Sequence, residues 1–126
     1  MLLYQEKTER IIGCFYRVYN ELGYGFLEKV YENALAAELS NQGFICKQQS
    51  PVKVYYKRIE VGFYFADIIV DDKVIIELKA GKDGILVQHE LQLLNYLKAT
   101  KIEVGLIFHF GERISIKRKI LTNDMK

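Results

Sequence analysis

The chain has 126 residues, 50% of them hydrophobic and 27% charged, with a formal net charge of +2. This is the size and balance of one soluble globular domain, able to bury roughly two-thirds of its unfolded surface. No apolar run approaches the length of a membrane-spanning helix, and Cys14 and Cys46 are too few for a disulfide scaffold or an iron–sulfur cluster. Leu2 and Leu3 are followed at once by polar Gln5, Glu6 and Lys7, so no secretory apolar region is expected and the cytoplasm is the expected location.

Residues 4–22 place Ile11, Ile12, Phe15, Val18, Tyr19 and Leu22 at helical spacing, and Gly23 closes the predicted helix. Phe15, Tyr16 and Tyr19 are more aromatic surface than one core needs, which makes this helix the expected face of a possible homodimer. A second helix is predicted from about Phe26 to Asn41, before Gly43, with an apolar stripe of Leu27, Val30, Tyr31, Ala34, Leu35 and Leu39. Glu28 lies at the edge of that stripe, half turned inward. Glu38 lies nearer its centre, with no functional account. Pro51 opens a strand, Lys57-Arg58 turn it into the next, and Lys73–Ala80 follows after a polar turn at Asp71-Asp72. A third helix, Ile85 to about Ala99, carries a broad core face of Val87, Leu91, Leu93, Leu94 and Leu97 and a separate polar face of His89, Gln92 and Tyr96. Val104–Phe110 reads as a strand covered on both sides, in which His109 is a core or edge histidine. The last strand, Ile114–Ile120, holds Lys117, Arg118 and Lys119, either as a charged, protected edge or as phosphate contacts. The resulting order, α-α-β-β-β-α-β-β, is that of an α/β (α+β) domain. Its helical part spans about 1–43, and its mixed, helix-flanked sheet with crossover helix spans about 51–120.

The chemistry concentrates in FYFADIIVDDKVIIELKA, residues 63–80. Asp67, Glu77 and Lys79 stand inside strands of Val, Ile and Phe, where a charge is costly unless paired or bound to a metal. Glu77 and Lys79 are two apart and share a strand face. A three-residue turn centred on Asp72, or a bulge, would set Asp67 opposite Glu77; a two-residue turn would oppose it to Ile76 instead. Carboxylates directly opposed repel each other unless a cation lies between them, so Asp67 and Glu77 read as metal ligands.

An acid in one strand, Glu77-Leu78-Lys79 in the next and a helix after it resemble the PD-(D/E)xK nuclease superfamily. Gly25-Phe26-Leu27-Glu28-Lys29-Val30-Tyr31 fits the G-x-x-E-x-x-Y motif after which a small bacterial family of that superfamily is named. Gln92-Leu93-Leu94-Asn95-Tyr96 fits the Q-x-x-x-Y motif of its exonuclease-like branches. Ala66 replaces the proline that often precedes the metal-binding acid. The resemblance implies a restriction-endonuclease-like core and a Mg²⁺- or Mn²⁺-dependent nuclease acting on DNA more than RNA. It also implies Leu78 as a carbonyl ligand, Lys79 at the attacking water or scissile phosphate, and Glu28 at a metal-bound water or a second cation. Gln92 and Tyr96 would position phosphate, with His89 as a phosphate contact. An inactive, nucleic-acid-binding version of the fold is the alternative it leaves open.

Overall fold

The computed structural model describes residues 4–126; Leu2 and Leu3, and the reading placed on them, lie outside the described residues. Helices α1 (Gln5–Leu22) and α2 (Glu28–Asn41) precede strands β1 (Cys46–Tyr56), β2 (Ile59–Val70) and β3 (Val74–Ala80). Helix α3 (Val87–Ala99), strands β4 (Val104–Phe110) and β5 (Ser115–Ile120) and a short 3-10 turn (Asn123–Met125) complete the chain. The five strands form one mixed sheet in sequence order, antiparallel except for β3 beside β4. That parallel pair requires a crossover, which α3 supplies. This is the restriction-endonuclease-like arrangement expected from the order of elements. No described helix is long and apolar enough to cross a membrane.

β4 is buried along its whole length because helices cover both faces of the sheet. On one face Phe15 of α1 stacks on Phe108 with ring centroids 4.4 Å apart, and Tyr31 of α2 stacks on Phe110 at 4.1 Å. On the other, Leu93, Tyr96 and Leu97 of α3 pack with Ile75 and Ile107.

Four details differ from the sequence reading. β1 begins at Cys46 and runs through Pro51, which is tolerated because β1 is a sheet edge where an absent N–H costs nothing. α2 begins at Glu28 and is rotated: Leu27 and Val30 are exposed, whereas Glu32 and Ala36 are buried. α3 turns Tyr96 inward with Leu93 and Leu97, leaving Val87 and Leu91 exposed. Leucines lie almost all round this helix, and its facing is decided by Leu93 seating on Gly105, where a side chain would collide with it. Finally, Phe15 is fully buried and the Tyr19 hydroxyl donates to the carbonyls of Gly111 (2.7 Å) and Glu112 (3.0 Å). Only Tyr16 of the three α1 aromatics stays exposed, so the surplus that marked α1 as a dimer face is absent.

Candidate active site

Ile68 pairs with Ile76, Ile69 with Ile75 and Val70 with Val74, a register closed by a three-residue turn over 71–73 that sets Asp67 opposite Glu77. Asp71 fixes this turn: its carboxylate accepts the Ile45 N–H at 2.8 Å and pairs with Lys7. Beyond Ile68 and Ile76 the backbone ladder stops and side chains replace it. The Asp67 N–H donates to Glu77 Oε2 at 2.8 Å, and the Leu78 N–H donates to Asp67 Oδ2 at 2.8 Å. The alternation of faces along β2 also breaks here, with Ala66 in the α3 layer and Ile68 in the α1/α2 layer. The two carboxylates therefore sit in a split between β2 and β3, each gripped by the other strand's backbone.

Glu77 is only 5% exposed, and burial, followed by the Asp67 charge, pushes its carboxyl up to about 8. Burial likewise raises Asp67, against the pull of the Leu78 N–H. Lys79, opposite His109 on β4, favours the ionised forms of Asp67, Glu77 and Glu28, yet makes no salt bridge among the described residues. Its ammonium is thus close enough to act on all three acids and committed to none. Glu28, exposed on the first turn of α2, has a carboxyl raised by burial of its end, opposed first by Lys79 and raised further by Asp67.

The remaining motif residues of the α2 entry are structural. Gly25 adopts a φ of 111°, which favours glycine. The fully buried Tyr31 hydroxyl donates to the Gly23 carbonyl at 2.6 Å and accepts the Phe26 N–H at 3.3 Å, so it ties down the loop that delivers Glu28. Tyr31→Phe strands both backbone groups and is expected to cost about 1–3 kcal/mol, measurable by denaturant unfolding. Sequence reasoning missed Glu32, one helical turn after Glu28 and buried. Its carboxylate accepts from Lys29 at 3.0 Å, Gln48 at 2.7 Å and Gln49 at 2.8 Å. Gln49, at φ 49°, also reaches Asp67 Oδ1 at 3.4 Å and so links the α2 acid to the β2 acid. The helical period from Glu28 was the available signal for Glu32; nothing local marked Gln49.

Burial and the charges of Glu77 and Asp67 raise the Tyr96 hydroxyl to about 12, which keeps it a donor beside the acid pair. Gln92 is half-buried one turn earlier on the same helix flank, and no described hydrogen bond joins it to the acids. His89 Nδ1 accepts the Leu86 N–H at 3.0 Å and caps α3. The basic strand does not present one cationic surface. Alternation sends Lys117 and Lys119 to the face of Gly105 and Ile107 and Arg118 to that of Leu106, and Lys119 is bound by Glu90 at 2.7 Å. Beside Glu28 a cleft of about 1110 Å³ opens between the segments 24–28, 80–84 and 109–113; Ala80 is in its wall, and Asp67 and Glu77 do not line it.

Among the described residues no three Asp, Glu, His or Cys side chains converge to hold a cation unaided. Mg²⁺ asks for less, one or two carboxylates with water and substrate completing its shell. Two opposed carboxylates, Glu77 buried and Asp67 half-buried, both with raised pKa and neither in a salt bridge among the described residues, fit such an ion.

Residues 5–120 match a family model described as the PD-(D/E)XK nuclease superfamily. Among solved structures, the crystal structure of SSO0001 is similar, with a TM-score of 0.56 and 20% identity over 94% of this chain. The chain spans 60% of that protein's length, and the likeness concerns the fold. No curated protein matches the sequence.

Proposed function

The chain belongs to the PD-(D/E)XK nuclease superfamily, and from that premise we propose that it is a divalent-metal-dependent nuclease of the G-x-x-E-x-x-Y type, hydrolysing phosphodiester bonds with DNA preferred over RNA. The observation that carries this reading is the reciprocal hold of Asp67 and Glu77 across the strand split, with Lys79, in no salt bridge among the described residues, two residues further on.

Asp67, Glu77 and the Leu78 carbonyl would hold Mg²⁺ or Mn²⁺, and Glu28 would hold a metal-bound water or a second cation. The ion, when bound, polarises the phosphoryl oxygen and acidifies a water. The chain's own groups do the rest. Lys79, charged among acids, orients the attacking water and offsets charge growing on the phosphate oxygens. Tyr96 keeps its proton and donates to a phosphate oxygen, and Gln92 extends that donor row along α3. Lys117, the exposed member of the basic strand, meets a neighbouring phosphate; Arg118 and Lys119 contribute through the positive field of that edge.

The test is digestion of labelled single-stranded and duplex DNA and RNA by the purified chain with Mg²⁺ or Mn²⁺. Cleavage that chelation stops is expected; intact substrates under both metals would overturn the assignment. Asp67→Asn keeps an oxygen for the Leu78 N–H, so the fold persists, but removes one negative charge from the ligand set. Its Mn²⁺ affinity is expected to fall at least tenfold in a calorimetric titration.

A further inference from the structure

Among the described residues, the outer half of the β1–β2 hairpin has no third strand. The β2–β3 ladder ends at Ile68, while β1 and β2 stay paired out to Tyr56 and Ile59. This two-stranded arm carries five aromatic side chains, Tyr55, Tyr56, Phe63, Tyr64 and Phe65, each between 48% and 61% exposed. Between them stand Lys53, Lys57 and Arg58 against one acid, Glu60, which lies 3.8 Å from Lys53. The arm begins two residues from Asp67, and Tyr64 lies 5.8 Å ring to ring from Tyr96 beside the acids.

The tip is the most telling part. Lys57 and Arg58 make a two-residue turn with φ of 49° and 70°. Such a primed turn favours Asn-Gly, and side chains as large as lysine and arginine resist it. The Lys57 ammonium lies 5.4 Å from the centre of the Tyr56 ring, so cation and aromatic face sit together at the end of the arm.

We propose that this arm binds an unpaired nucleic-acid strand and leads it to the Asp67–Glu77 centre. Rings spaced among cations suit a strand whose bases stack on aromatic faces while its phosphates meet positive charge. A protein partner fits less well, because lysine is depleted from protein interface cores. The inference rests on the nuclease reading for its direction, but its measurement does not require cleavage.

Binding is read by fluorescence anisotropy of a labelled single-stranded oligonucleotide and of its duplex, with the full chain in chelator, alongside light scattering. Lys57→Asn combined with Arg58→Gly installs the favoured turn, so thermal stability should hold or rise while single-strand affinity falls. Removing two cations should also flatten the log–log salt dependence by about 1.4. Phe63→Ser and Tyr55→Ser should each weaken single-strand binding about tenfold and affect the duplex less. Unchanged affinity in these variants overturns the proposal. So does equal loss for duplex and single strand. Ile59 and Val61 are the side chains a second copy of the chain would cover; variants that turn a dimer into a monomer at constant affinity would assign the arm to self-association instead. Binding without cleavage in the wild type plus metal would remove the nuclease reading and leave the arm's ligand standing.

Discussion

Lys79→Ala is expected to slow phosphodiester cleavage by ~10²–10³, about 3–4 kcal/mol of transition-state stabilisation, with metal binding as tight as in the wild type or tighter. Lys79 shares the strand face of Glu77 and makes no salt bridge among the described residues, so its removal breaks no bonded pair. What disappears is a positive charge aimed at the place where negative charge grows on phosphate. The same charge opposes a bound cation, which is why affinity for Mn²⁺ should not suffer at a pH where the acids are ionised. Single-turnover cleavage and a Mn²⁺ titration on the same preparation separate the two effects. Cleavage at the wild-type rate would show that Glu77-x-Lys79 is not the reacting pair. Slow cleavage explained wholly by lost metal would assign Lys79 to holding the site together.

Element order was readable because α1 shows a clear 3.6 period, β4 is a nearly unbroken apolar run, and β3 is apolar apart from Glu77 and Lys79. The facing of α3 was not, since Leu91, Leu93, Leu94 and Leu97 spread round the helix and the decision rests with Gly105 on another strand. The Asp67–Glu77 opposition was legible as a condition on the turn. Which turn forms depends on Asp71 meeting Ile45 and Lys7, contacts between segments far apart in the chain. Glu32 and Gln49 are joined across α2 and β1 in the same way. The basic strand is a different matter: strand alternation alone separates Arg118 from Lys117 and Lys119, and runs of like charge invite the wrong grouping. Spacing within one element is thus a sound guide to the site, whereas partners brought by other elements are visible only once the packing is known.

The protein in chelator is expected to lose stability as pH rises from about 4.5 to about 8. Glu77 titrates in the folded chain at about 8, against an ordinary value of 4.5. Between those limits the folded state holds a proton that the unfolded state has released, so each step up in pH favours unfolding. At 1.36 kcal/mol per pKa unit the loss is on the order of 4 kcal/mol, and the group is too buried for solvent to screen it. Asp67, also raised by burial, acts in the same direction. Asp71, lowered mainly by the Lys7 and Ile45 hydrogen bonds, acts oppositely and only at the acid end, where its contribution fades as it protonates. A cation that binds only the folded state should restore the loss above pH 8, by mass action. Glu77→Gln removes the ionisation but keeps an oxygen for the Asp67 N–H. In chelator this variant should melt on the order of 10 °C above the wild type at pH 8.5, close to it at pH 5, and gain nothing from Mn²⁺. Melting curves across pH 5–8.5, with and without metal, decide the matter. A wild-type melting temperature that ignores pH in chelator, or a Gln variant that tracks it throughout, would mean that Glu77 is not the strained acid of this site.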